Sequence, residues 1–442
     1  MTTTVRILGS RAREQVPGTS ITLLAPGFRG ALTQLTPGVV NQAAFDLPFA
    51  EAAAGAEVML AAQLTLQLEA RPPSSVAGLR LRSAMVTHPR VIVPRRPGVT
   101  YAVLQTDETG TSSFLLPQPG DDSEAVFLLT VAAQASTRRT LRVLMWPELP
   151  PAVAAAAVPA RWEQLRRPCQ LAQRSLTGPW QQPDWPALAG GPVLLLLHDT
   201  FSTPQATFAD WLDDESFARL AGSYQGRCLA YSHPTLSAGV GENLDWLVTS
   251  LASIPGPFDV VAHGRGGLLA RTLAADQRLP LRRVCQVGTP NRGTPLASGS
   301  LLPQFLDAHV CLLARLPKVV AQGTLEGALC LARLVAQGLR GALPGIDALT
   351  PESAAVSANR DLRVPGLEWF TVGAQFTLPE GHMTTPGPAE AFASVPNDLV
   401  VPAHGCHEPG FPVTDSLHVP GVHHHGYFSD ARVRERLAMW LM

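Results

Sequence analysis

The segment DVVAHGRGGLLARTL, residues 259–273, constrains this chain more than any other. The apolar run FDVVAH passes straight through Gly264, Gly266 and Gly267 into residues whose apolar positions have helical spacing, so a strand must become a helix within one tight turn. Such a turn is sterically crowded. Ala262 and Gly266, two residues before and after Gly264, are the small residues it needs. The apex of such a turn holds a strained backbone that costs a non-glycine residue about 1–3 kcal/mol, and the apex residue is Gly264.

Around this turn, from about residue 191 onward, strands alternate with helices. PVLLLLH is apolar throughout, as expected of a strand buried on both faces of a parallel sheet. RCLAYSH, FDVVAH, RRVCQVGTP and LEWFTVGA are further strands, with helices TFADWLDDESFARLA and ENLDWLVTSLA between them. This alternation predicts a doubly wound, mostly parallel α/β sheet over residues 191–442. Within it, residues 296–345 form an apolar helical insertion, either a mobile lid or helices packed on the sheet. Residues 1–147 read differently. Short apolar or alternating runs such as AEVMLAAQLTLQLEA, TYAVLQT and TLRVLMWP, separated by Pro, Gly and Asp, predict a β-rich N-terminal domain, sandwich or barrel-like. Residues 148–190 are rich in Pro and Ala and are expected to be a linker containing one helix.

Charge excludes two classes of partner. The formal net charge is −1, and acidic and basic residues are mixed throughout, so there is neither a basic stripe for nucleic acid nor a polybasic membrane anchor. Lys318 is the only lysine. The six cysteines have no C-x-x-C spacing and suit buried, reduced thiols. The N-terminus lacks the apolar run of a signal peptide core and no apolar run has the length of a membrane span, so a soluble, cytoplasmic protein is expected.

From about residue 191 the chain resembles the bacterial lipase/esterase-like branch of the α/β-hydrolase superfamily, including the hydrolase-like domains that sit beside effector or caspase-like protease modules in some bacterial genes. Five segments carry the likeness. LLLLHDTFST (Leu194–Thr203) is similar to the oxyanion loop and AHGRGGLLAR to the nucleophile elbow; VGTPNRGTPLA (Val287–Ala297) is similar to the loop after the next strand. VPNDLVVP (Val395–Pro402) and HVPGVHHHGYFSD resemble the segments that deliver the triad acid and histidine. The resemblance implies an α/β-hydrolase fold, no cofactor and a triad in the order nucleophile, acid, histidine.

The residues supply that order except at its first member. A hydroxyl needs an imidazole base, which needs a carboxylate to fix its tautomer. Gly264 stands at the nucleophile position, Asp398 is the candidate acid with Asp361 and Asp347 as fallbacks, and His424 or His425 is the candidate base. His424 has the H-x-x-Y-F spacing to Tyr427, and His423 completes the triplet. Backbone N–H groups of Arg265 and Thr200 are the candidate oxyanion donors. Asp199 follows His198 where such hydrolases usually have glycine, and its carboxylate would repel an oxyanion unless it points away. His198, His263, His233 and Arg265 read as loop braces and Ser202 as a cap or turn serine. Adjacent histidines point different ways, and no cluster has ligand spacing, so no metal is expected.

Three functions are compatible with this pattern: a pseudo-hydrolase that binds a small acyl or ester ligand or a partner protein; a serine esterase, lipase or peptidase in which Gly264 is an introduced inactivating change; or a hydrolase using water or another nucleophile. The oligomeric state is not legible.

Overall fold

The computed structural model describes residues 3–35, 46–70, 88–120, 123–129, 137–149, 154–174, 178–316, 318–337, 343–358, 360–378, 391–392, 395–407 and 410–442. The N-terminal strands are β1 (Thr3–Ile7), β2 (Glu14–Gln15), β3 (Thr22–Leu24), β4 (Phe28–Leu35), β5 (Met59–Ala70), β6 (Arg90–Pro94), β7 (Val99–Asp107), β8 (Ser112–Leu115), β9 (Glu124–Leu128) and β10 (Thr137–Pro147). They form two antiparallel sheets, ordered β1-β4-β5-β10-β7-β8 and β2-β3-β6-β9. Leu64, Val103 and Val143 of the larger sheet share one core with Leu23, Val91 and Phe127 of the smaller, which makes this a sandwich. Alternate residues of β7 and β10 point the other way. Ala102, Leu104, Leu144 and Trp146 are buried in the main core of the molecule.

The C-terminal sheet contains β11 (Gln170–Arg174), β12 (Trp180–Gln181), β13 (Val193–Leu197), β14 (Cys228–Ser232), β15 (Phe258–His263), β16 (Leu281–Val287), β17 (Glu368–Gln375) and β18 (Asp415–Pro420), ordered β12-β11-β14-β13-β15-β16-β17-β18. From β14 to β18 the pairings are parallel; β11 is antiparallel to both β12 and β14. Val193–Leu197 is wholly buried because both faces are covered: Leu195 and Leu197 enter one core, Leu194 and Leu196 the other. The chain runs from β13 to β14 on one side and then to β15 on the other, so the strand order reverses at β13. In open α/β sheets that reversal leaves a crevice at the carboxyl ends of the strands. The doubly wound sheet with its sharp turn after β15 is the α/β-hydrolase fold, preceded by a β-rich region.

One expectation about organisation needs correction, and one open alternative is settled. Residues 148–190 do contain a helix, Ala154–Arg166, but they also supply β11 and β12, so the sheet begins before residue 191. Short edge strands with polar alternation, QLAQR and WQ, give little apolar signal. The insertion is packed rather than laid over an opening: its helices Leu302–Val310 and Lys318–Ala336 lie between the sandwich and the α/β sheet, with Phe305, Leu325 and Leu329 fully buried. The Ser112 N–H donates to the Cys311 carbonyl and the Phe114 N–H to Asp307 Oδ1 (2.8 Å), tying strand β8 to that insertion. All six cysteines are free thiols, and five are buried. Among the described residues no helix is long and apolar enough to cross a membrane.

Candidate active site

Four loops converge at the carboxyl end of the sheet. The turn after β15 places Gly264 at φ +51°, ψ −122°, the left-handed side that glycine tolerates. The helix Arg265–Asp276 starts immediately after it. Close approach of this helix to β13 and to the loop after β16 explains its glycines: a Cβ on Gly266 would lie 2.7 Å from the Leu197 and His198 carbonyl oxygens, and one on Gly267 would lie 1.8 Å from Thr289 Oγ1.

Asp199, on the loop after β13, points into this turn. Its Oδ1 accepts the Arg265 backbone N–H at 2.7 Å, and its Oδ2 lies 2.9 Å from His424 Nε2. His424 Nδ1 lies 2.7 Å from Asp398 Oδ2. Asp398 is in turn held by the N–H groups of Val400 (3.0 Å) and Val401 (2.7 Å) on Oδ1 and by the Tyr427 hydroxyl (2.9 Å) on Oδ2. All three charged side chains are buried. Burial disfavours charge on His424, but the two flanking carboxylates outweigh it and raise its pKa to about 10. Burial likewise works against ionisation of Asp199 and Asp398, and the His424 charge and hydrogen bonds overcome it and hold both below the usual carboxylate range. The group is an imidazolium clamped between two carboxylates.

Asp199 therefore takes two places at once. A Cβ built on Gly264 would fall 1.9 Å from Asp199 Oδ1 and 2.1 Å from its Cγ, so the carboxylate fills the space into which a side chain at the apex would project. It also takes the backbone N–H that would receive an oxyanion. The carboxylate does not point away: the glycine leaves room, and a buried N–H and imidazolium attract the charge into it. With both oxygens engaged and its pKa depressed, Asp199 is a weak nucleophile.

The other candidates divide clearly. The structure pairs His424, not His425, with Asp398; the His425 Nε2 is buried and has no partner among the described residues. Asp361 and Asp347 are exposed, away from this group. Thr200 is buried beside Asp199, its hydroxyl unpaired. The Arg265 guanidinium braces loops by donating to the Ala238 (2.6 Å) and Gly345 (3.2 Å) carbonyls. His198 Nδ1 bonds the Asp199 carbonyl (2.8 Å) and its Nε2 accepts the His233 N–H (3.1 Å), so both histidines are braces, with rings 4.1 Å apart. The Ser202 hydroxyl accepts from Thr207 Oγ1 at 2.8 Å, in the first turn of a short helix. Sequence reasoning missed two supports. Thr294 Oγ1 donates to the Val400 carbonyl (2.7 Å), fastening the VGTPNRGTP loop to the Asp398 segment. Glu163 accepts hydrogen bonds from the N–H groups of Thr235, Leu236 and Ser237 and both their hydroxyls, Thr235 and Ser237.

Residues 161–442 match a family described as a domain of unknown function, DUF7379. The chain belongs to this family. No curated protein matches it in sequence. In solved structures it is similar to lipase BlEst2 of Bacillus licheniformis in mature form (18% identity, 60% of this chain and 94% of that one, TM-score 0.36), to lipase 1 of Pelosinus fermentans (12%, 57% and 98%, 0.40) and to naproxen esterase of Bacillus subtilis (13%, 67% and 100%, 0.33). Likenesses this distant assign no activity to a DUF7379 member. The fold rests on the strand order and the turn after β15.

Proposed function

We propose that this DUF7379 chain is a pseudo-hydrolase: an α/β-hydrolase of the lipase/esterase type that binds an acyl or ester ligand, or a partner protein such as an effector or protease module, without turning it over. One observation carries this reading. Asp199 occupies both the space of the nucleophile's side chain and the Arg265 N–H, and it holds His424 protonated, so the site has neither attacking group, nor free base, nor that oxyanion donor. The alternative, an active serine esterase altered at position 264, has the intact Asp398–His424 pair in its favour. Against it stands the 1.9 Å between a Cβ at 264 and Asp199.

The test is fluorophosphonate labelling and short-chain ester hydrolysis. The protein as it stands is expected to give neither, while Gly264→Ser combined with Asp199→Gly gains labelling. Saturable ester turnover by the unaltered chain would overturn the proposal.

A further inference from the structure

The same corner of the molecule has an electrostatic feature that lack of turnover does not explain. His263, at the end of β15, is buried, and its Nε2 lies 3.0 Å from the His424 carbonyl oxygen. A carbonyl only accepts, so Nε2 carries the proton and Nδ1 presents a bare lone pair. Among the described residues nothing bonds that Nδ1. A lone pair of this kind, left buried and unpaired, is destabilising relative to a satisfied one.

One ligand atom each from Asp199, His263 and His424 lie within 4.8 Å of one another, all buried. A carboxylate and two imidazoles from three separate segments form a donor set suited to zinc. The outer contacts suit it as well. Asp398 on His424 Nδ1 and the His424 carbonyl on His263 Nε2 are the carboxylate and carbonyl partners that orient metal-bound histidines and fix the tautomer. Asp199 and His424 are 2.9 Å apart. With metal–ligand bonds of ~2.0–2.2 Å, tetrahedral ligands lie roughly 3.3 Å apart, so the pair would open by a few tenths of an ångström. Charge favours binding too: the buried carboxylates of Asp199 and Asp398 carry two negative charges that a dication balances. His309 Nε2 and His425 Nε2, with rings 6.2 and 5.7 Å from that of His424, are also buried and unpaired and add lone pairs nearby.

We infer that Asp199, His263 and His424 form a binding site for a divalent transition-metal ion, zinc foremost, in which the ion takes the place of the proton between Asp199 and His424. The inference is independent of whether the site turns over esters.

The experiment uses the full chain, stripped with chelator and, separately, refolded from denaturant in the presence of Zn²⁺, because the site is buried. Metal analysis at near-neutral pH is expected to give one zinc per chain, and Co²⁺ in its place to give the visible bands of a low-coordinate nitrogen and oxygen site. Removing a direct ligand by His263→Ala or Asp199→Ala should abolish stoichiometric binding, whereas Asp398→Asn, acting through His424, should weaken it ~10–100-fold. Circular dichroism and melting of each variant separate loss of binding from loss of fold. His263→Ala is the decisive variant, since it leaves the Asp199–His424–Asp398 group untouched. Two results would overturn the inference: no zinc in folded protein by either route, or zinc retained in folded His263→Ala. Metal-free ester hydrolysis would refute the pseudo-hydrolase reading and leave these readouts unaffected.

Discussion

Gly264 and Asp199 are a coupled pair: the missing side chain of one is the space of the other. At φ +51° a serine is strained, and its Cβ would meet the carboxylate at 1.9 Å. Gly264→Ser should therefore destabilise the fold by about 2–4 kcal/mol, backbone strain supplying roughly 1–3 of it. Gly264→Ser with Asp199→Gly should recover part of that loss, and a double-mutant cycle from denaturant melts would read the coupling. Additive effects would show the two sites to be independent. His424 sets a second residue-scale outcome. Its pKa rises from 6.5 unfolded to about 10 folded, so its contribution to stability is fully present below pH 6.5 and is lost as pH climbs toward 10. The stability gap between the unaltered chain and His424→Gln should shrink across that window; a gap constant with pH would mean that His424 is not held charged.

Among the elements, the helix Lys318–Ala336 separates the two readings of the insertion. Leu325 and Leu329 are fully buried in it, so replacing either by Ala should cost ~2–5 kcal/mol, a loss a mobile lid would not show. Asp307, on the preceding helix, is buried with only the Phe114 N–H described against its carboxylate, and burial lifts its pKa from 3.8 to about 7. Its charged form is disfavoured in the fold, so stability contributed here falls as pH rises from 3.8 and levels above about 7. Asp307→Asn keeps the acceptor and removes the charge. It should stabilise the protein above pH 7, on the order of 4 kcal/mol at about 1.36 per pKa unit, with little effect below pH 4. Chemical melts at two pH values would check this.

For the whole molecule, one core runs from Leu104 and Trp146 of the sandwich through Leu329 to Leu195 of the α/β sheet. The matched family region, 161–442, does not include the sandwich that covers the insertion. A fragment of residues 161–442 would expose that apolar face. It should aggregate or bind hydrophobic dyes where the full chain does not, and the full chain should unfold in one transition rather than two.

Much of this was legible locally. The apolar run Val193–Leu197, the glycine turn at 262–267 and the helical spacing after it each state their own structure, because burial on two faces and steric crowding are read from neighbouring residues. The order of apex, acid and histidine came instead from the resemblance, with Asp398 as the acid and His424 and His425 both open as the base. What the chain alone left open involved partners far apart in sequence. Which histidine meets Asp398, that β11 and β12 join the sheet, and that the insertion lies beneath the sandwich depend on contacts between remote segments. Asp199 is the clearest case: sequence marks it as a carboxylate in the wrong place, 65 residues before the glycine apex. Only the fold puts it there, because a buried imidazolium and a free N–H draw the charge into the space that glycine leaves.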